Sequence, residues 1–504
     1  MIKILLLLFF FAMTASAGAM DLSLKDAIAV ALENNRDINI EKENVVVSEG
    51  EVTTQKGAFD PILNISSFYN DGETPTVNTF IPDGTVNQEQ FGVTGNIDGR
   101  LSTGTFYDVF NVSSTRTETD SPLDDLSPSW FNDVTFSIGQ DLLRNFGVDV
   151  NNAFVITARR SNQISMKEFE NVVTNVLLEV ERRYWLLVAA GQNLELERKA
   201  LELAIDLQKR NEIQVEVGVL PPVAVTQAKS EVAARELDVI VAENTLQASE
   251  DDLKNVLAMD LSLQINTTDE PTTEVYEFSE QASLEQAYEQ RPEIEQAQLE
   301  IENRKTLKKY YSNQRLPTLS VEGSVNLQGL GGDENPDRLS FGGEPEPIPS
   351  RFLGSSEAFN QIFGADFTTW QVLGVFRFPI FNRAARGEYV KASAEFDRSV
   401  IVLKKTQDDV ALDVKSAIRE IENSLRAIDA ARVSVELASE VVINEQERLN
   451  VGIGTTREVL EAQRDLIDAG VREITAIANY NIALAELERA KGTLLEKDGV
   501  VIEE

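Results

Sequence analysis

Residues 388–451 contain neither glycine nor proline, and residues 148–217 contain only Gly191. Both runs are rich in Ala, Leu, Glu, Lys and Arg, the residues that lose least on entering a helix. They predict two helices of about 65 residues, roughly 100 Å long at 1.5 Å per residue. No ordinary globular core spans that distance, so such helices must bury themselves along their sides. In the second run Val414, Ile421, Ile428, Val435 and Val442 recur every seven residues, beside a line of Val410, Ala417, Ser424, Ala431 and Ala438. That is a coiled-coil seam, and its small residues let a neighbouring helix approach closely. Val180, Leu187, Leu194 and Leu201 keep the same period in the first run.

The chain is also written twice. Ser23-Leu24-Lys25-Asp26-Ala27 and Ser283-Leu284-Glu285-Gln286-Ala287 each open a helical stretch, with the serines as candidate N-caps. Ile38 and Pro61 are separated by 23 residues, as are Ile294 and Pro317. Val217-Gly218, Val225 and Ala228 return as Val451-Gly452, Val459 and Ala462 with unchanged spacing. Each half reads helix, strands, very long helix, tight break, helix. The repeats are placed at 20–264 and 282–497, with a polar linker at 265–281 that holds Pro271, and a tail at 498–504.

Residues 1–19 have the form of a secretory signal peptide: Lys3, an apolar run from Ile4 to Met13, then small residues with cleavage after Ala17 or Ala19. The chain has no Cys and no His, which removes thiol chemistry, disulfides, diacyl anchoring, the commonest metal ligand and the commonest general base. No enzyme, cofactor or metal site is expected. With 46 basic and 83 acidic residues the net charge is −37, which repels nucleic acid. Beyond residue 19 no apolar stretch is long enough for a membrane-spanning helix, so contact with a bilayer falls to a surface helix or to strands.

Strands of that kind lie between the helices. Leu319, Val321, Gly323, Val325 and Leu327 alternate with Ser320, Glu322, Ser324, Asn326 and Gln328, the pattern of a transmembrane strand. Trp370, Val372, Gly374, Phe376 and Phe378 supply the next apolar face, after a Gly- and Pro-rich loop from Gly329 to Thr369. The predicted lipid face is therefore Leu319, Val321, Val325, Leu327, Trp370, Val372, Phe376 and Phe378. The first half offers Leu63 to Asn70 and Val134 to Gln140, with a further pair, Phe91 to Asp98 and Thr105 to Val112. Four to six strands cannot close a barrel, whose smallest transmembrane form has about eight, so strands must be shared between subunits. A periplasmic or surface coiled-coil structural or adhesin protein is the competing reading of the helices alone.

Strand hairpins between very long helices, in tandem copies behind a signal peptide, resemble the TolC family of outer-membrane channel proteins. The specific marks are the breaks Val217-Gly218-Val219-Leu220 and Val451-Gly452-Ile453-Gly454, and the exits Asp141-Leu142-Leu143-Arg144-Asn145-Phe146-Gly147 and Phe378-Pro379-Ile380-Phe381-Asn382-Arg383. The resemblance implies an α+β membrane protein in the outer membrane of a Gram-negative bacterium: a homotrimer with one pooled β-barrel and an α-helical periplasmic barrel. It implies an exit duct for efflux or type I secretion, fed by an inner-membrane pump through a periplasmic adaptor that docks at the two breaks. Drugs, metal ions, polysaccharide and proteins all stay open as cargo. Glu458 and Glu461 fall where the family carries acidic residues at its narrow entrance, and their mutual repulsion in three copies would raise some of their pKa values. Three departures stand out: Pro221-Pro222 with Ala224 where relatives often have an acid, Gly454 where a basic latch partner is expected, and the additional hairpin Phe91 to Val112, which enlarges the barrel or lies outside it.

Overall fold

The computed structural model describes residues 3–6, 20–81, 83–340, 342–343 and 346–503. Both candidate cleavage sites, after Ala17 and Ala19, lie outside the described residues; Lys3–Leu6 forms a short strand antiparallel to Val500–Glu503. The chain forms two compact units, one of residues 1–48, 162–300 and 400–504, the other of 49–161 and 301–399. Each unit takes residues from both repeats, so the duplication does not divide the protein into two folding bodies.

Among the described residues the helices longer than one turn are α1 (Leu24–Asn34), α2 (Arg36–Lys56), α3 (Ala153–Glu216), α4 (Val223–Leu257), α5 (Glu280–Gln290), α6 (Pro292–Gln314), α7 (Ser355–Gly364), α8 (Arg383–Asn450) and α9 (Thr456–Lys491). The two long runs are single helices of 64 and 68 residues. Ser23 caps α1 as expected, its side chain accepting from the Asp26 N–H. Ser283 does not cap: Glu280-Gln281-Ala282 extend α5 by a turn, the N-cap is Ser279, and Ser283 is buried inside the helix. Each opening helical stretch is broken, at Asn35 and at Arg291. Asn35 Oδ1 accepts from the N–H groups of Asp37 and Ile38 at 2.9 and 3.2 Å and so starts α2. Pro292 starts α6, in the first-turn position where its missing N–H costs nothing.

In the mostly helical unit the duplication shows as two apolar cores. One joins Ile28, Ile38 and Leu32 to Phe169, Leu177, Val180, Tyr184, Leu253 and Leu257; the other joins Val410, Val414, Ile421 and Ile428 to Tyr480, Ala483 and Leu487. The seam of α8 is buried through Ile428, and Val435 and Val442 are half-buried. The polar linker is strapped to the helical unit. Ile265–Thr267 pairs in parallel with Met20–Leu22, and the residues that follow are bolted down by three side chains. Tyr184 Oη donates to Asp269 Oδ2 at 2.6 Å, and burial together with that carboxylate pushes its phenol up to about 12. Tyr480 Oη donates to the Glu274 carbonyl at 2.5 Å and accepts from the Tyr276 N–H at 3.2 Å. Asn481 Oδ1 accepts from the Thr272 N–H at 3.0 Å, and its Nδ2 donates back to the Thr272 carbonyl at 2.9 Å.

The other unit holds one antiparallel sheet of six strands in sequence order: β1 (Ile62–Pro75), β2 (Thr85–Arg100), β3 (Thr105–Thr119), β4 (Leu126–Asp141), β5 (Thr318–Glu334) and β6 (Phe367–Arg377). They run 11 to 17 residues, longer than their alternation predicts, because polar residues at the outer ends continue the ladder. Phe378 falls just past β6, since Pro379 cannot continue the pairing. The additional hairpin β2–β3 is an integral part of this sheet. Its turn reaches the strand-to-helix exit: the Gly147 N–H donates to the Thr103 carbonyl at 3.2 Å. Gly104 there has φ +89° and stands so near the Asn145 carbonyl that a Cβ would lie 2.3 Å from its oxygen.

Removing the Tyr480 hydroxyl leaves the Tyr276 N–H and the Glu274 carbonyl without their partner, at a cost of about 1–3 kcal/mol. Tyr480→Phe is therefore expected to speed cleavage by a Glu-specific protease at Glu270, Glu274 and Glu277 several-fold; an unchanged rate would show that the strap is held by other contacts.

Candidate functional site: sheet face and helix tips

Cross-strand register sorts the sheet into two chemically opposite faces. Leu319 pairs with Phe376, Gly323 with Val372, Val325 with Trp370 and Phe136, and Leu327 with Val134. Directly paired residues share a face, so seven of the eight residues expected to contact lipid lie together on one side, with Phe378 just beyond the strand. Trp370, Val372 and Phe376 are 75%, 66% and 67% exposed, an arrangement that water does not reward. The first repeat extends this face with Leu63, Ile65 and Tyr69 on β1 and with Ile97, Val93 and Phe91 on β2.

The opposite face is a band of Asn and Asp. Asn64 donates to Asp98 at 2.6 Å, Asn96 to Asp108 at 3.1 Å, and Asn326 to Thr135 at 2.7 Å. Amides tie the carboxylates across strands, so this face is both acidic and wettable. Among the described residues the sheet's two outer strands, β1 and β6, have unpaired edges.

At the helix tips the two breaks are built alike. The Val219 N–H bonds to the Gln214 carbonyl at 2.8 Å and the Leu220 N–H to the same oxygen at 3.2 Å. Ile453 and Gly454 bond to the Arg448 carbonyl at 3.0 Å each. Gly218 and Gly452 take φ of +75° and +80°, the left-handed end that glycine permits at the foot of a helix. The turns thrust Val217, Val219, Val451 and Ile453 outward, each 67–70% exposed.

After the second turn, Glu458 has a structural task. Thr455 Oγ1 accepts from the Glu458 N–H at 3.3 Å while Glu458 Oε2 accepts from the Thr455 N–H at 2.7 Å, a capping box at the start of α9. Within one chain, those bonds to Thr455 hold the Glu458 carboxyl below its ordinary range. Glu461, one turn on, is exposed.

Sequence reasoning missed the polar staple above the tips. Arg464 on α9 reaches Glu231 on α4 at 2.8 Å, Glu231 also accepts from Arg235 at 3.0 Å, and Arg235 approaches Glu197 on α3 at 3.8 Å. Burial raises the Glu197 carboxyl. Nearer the turn, buried Asn211 on α3 donates to Thr456 Oγ1 at 3.4 Å. These contacts couple the first helical hairpin to the second. In a single sequence such residues read as an ordinary solvated helix face.

Comparison with known proteins completes the picture. The family model described as outer membrane efflux protein matches residues 106–258 and 283–493. Outer membrane protein TolC of Vibrio cholerae is 24% identical over 344 residues, which is 68% of this chain and 73% of that protein. Among solved structures, a membrane protein from Pseudomonas aeruginosa superposes with TM-score 0.67 at 16% identity, covering 93% of each chain. CusC superposes with TM-score 0.66 at 15% identity and 95% coverage of both chains. The open-state MtrE channel of Neisseria gonorrhoeae gives 0.61 at 13% identity, over 94% of this chain and 89% of its own.

For the capping box the pH dependence has a definite sign. A carboxyl whose folded pKa lies below its unfolded value stabilises the fold above the unfolded pKa, and that stabilisation is lost as pH falls through the folded one. Hydrogen-exchange protection of the Thr455 amide is expected to drop as pH falls below the ordinary carboxyl range, and Glu458→Gln should abolish that dependence. A pH-independent amide in the unsubstituted chain would contradict the assignment.

Proposed function

The chain belongs to the outer membrane efflux protein family, and from that membership we infer that it is the outer-membrane exit duct of a tripartite efflux system. Cargo enters from an inner-membrane pump and a periplasmic adaptor and passes passively to the exterior. The observation that carries this reading is the six-stranded sheet set between long helices, with an apolar face, a polar face and two unpaired edges. Three chains, with the edge of β6 joined to the edge of β1 in the next, would give three times six, or eighteen, antiparallel strands. Every backbone group would then be paired, as a barrel in lipid requires. The apolar rows would face lipid and the Asn–Asp band would line a water-filled lumen. Four strands per subunit is the family's usual number, so the hairpin β2–β3 widens this pore.

The same closure accounts for the helices. Leu412, Val433, Leu437 and Val441 on α8 stay 48–61% exposed in one chain, apolar surface suited to the helices of a neighbouring subunit. The helices form a periplasmic tunnel, and the exposed Val217, Val219, Val451 and Ile453 are the adaptor-docking residues, presented on turns of shared geometry. At the entrance Glu461 is the free carboxylate of each subunit, with Glu458 ionised but engaged in its cap. The Arg464–Glu231 pair holds the two hairpins of a subunit together, so an opening that separates them has to break it.

Purified protein in a planar bilayer is expected to conduct cations in preference to anions. Glu461→Gln should reduce that preference more than Glu458→Gln does. Unaltered selectivity in both variants would remove the acidic entrance. A protein that leaves cells without detergent and never conducts would instead favour a coiled-coil structural or adhesin role.

A further inference from the structure

The long loop between β5 and β6 carries a helix whose placement the duct function does not require. The ten residues of α7 lie flat on the apolar face of the sheet. Gly329 and Gly331 make this possible: a Cβ on Gly329 would stand 1.8 Å from the Ala358 carbonyl oxygen, and one on Gly331 2.4 Å from the Gly354 carbonyl oxygen. Gln361 secures the contact, accepting from the Leu330 N–H at 3.0 Å and donating to the Leu330 carbonyl at 2.9 Å, so its amide replaces the strand partner that β6 no longer supplies there. Asn132, paired with Gly329 and pointing to the same face, is fully buried.

Register fixes the height of this helix on the sheet. Gly331 stands in a cross-strand row with Trp130, Arg116, Phe91 and Tyr69, twelve residues along β5 from Leu319 at the helix-proximal end. At about 3.4 Å per residue and a tilt of about 45°, that row lies roughly 29 Å above Leu319, the far boundary of an apolar band about 25 Å tall. The row has the composition of an interfacial girdle, with the Arg116 guanidinium 5.9 Å from the Trp130 ring.

The three sides of α7 differ. Ala358, Gln361 and Ile362 are buried against the sheet. Ser356 and Asn360 form a polar side. Phe359 and Phe363, one turn apart, point away, 44% and 88% exposed. A helix clamped rigidly to a lipid-facing wall, with two phenylalanines on its free side, has an interfacial amphipathic design.

We propose that α7 is an interfacial helix embedded in the outer leaflet, with Phe359 and Phe363 among the acyl chains and Ser356 and Asn360 towards the headgroups. The proposal rests on the apolar face being the lipid face. It makes α7 a lateral anchor that shields Asn132 from lipid and fixes the height of the barrel in the bilayer.

Because the chain has no cysteine, single nitroxide labels at Phe363→Cys, Asn360→Cys, Val372→Cys and Ser324→Cys report their surroundings without background. The labelled protein is reconstituted in vesicles of phosphatidylethanolamine and phosphatidylglycerol. Collision rates are then measured with oxygen, which concentrates in lipid, and with a neutral nickel chelate, which stays in water. Position 363 should match 372, with an oxygen-to-nickel ratio several-fold above those at 360 and 324. A nickel-accessible 363 beside a lipid-like 372 would overturn the embedding of α7 and leave the barrel reading intact. Protection of 363 from both reagents would overturn it too, by showing protein contact with a neighbouring subunit. A water-like 372 would refute the lipid face itself, and the anchor with it.

Discussion

For the proposed barrel, an unpaired strand edge in lipid is the constraint on which the rest of the structure depends. β1 and β6 each present an outer row of N–H and carbonyl groups that pairs with no strand among the described residues, and every such group left bare in hydrocarbon costs several kcal/mol. A soluble sheet could cover its edges with loops or charges. Here the edge strands carry Leu63, Ile65 and Tyr69 on one side and Trp370, Val372 and Phe376 on the other, so pairing with another copy is the available remedy. In the proposed assembly the exposed apolar residues of α8 meet the same remedy.

The duplication then takes on a physical meaning. One copy of the repeat supplies too few strands and too few helices to enclose anything, and each compact unit draws on both copies. Equivalent positions retain backbone geometry while changing their chemistry. The tip turns share their hydrogen bonds to Gln214 and Arg448, yet one continues into Pro221-Pro222 and the other into the Thr455–Glu458 cap. The strand-to-helix exits both place an asparagine, Asn145 and Asn382, at positive φ. The Arg464–Glu231–Arg235 staple joins the second copy to the first.

Much of this was legible in the sequence because it rests on periodicity. Runs nearly free of Gly and Pro gave the long helices, the seven-residue lines through Val414 and Val180 gave their seams, and the alternation from Leu319 to Gln328 gave a strand and its faces. Matched spacings at Val217 and Val451 gave the paired turns. What escaped depends on partners distant in sequence. Tyr480 and Asn481 read as ordinary helix positions, and only the fold brings Glu274 and Thr272 to them. One local signal was also passed over: the spacing from Thr455 to Glu458 marks a capping box. Gly329 and Gly331 read as loop glycines, although they belong to β5 and mark where a helix lies on the sheet.

The central claim, that six strands per chain are closed by several chains into one barrel, is tested most directly by the native mass of the assembly released from outer membranes in mild detergent. A particle of three mature chains that stays together in detergent and separates only on heating is the predicted result. A monodisperse single chain, or a soluble oligomer released without detergent, would contradict it.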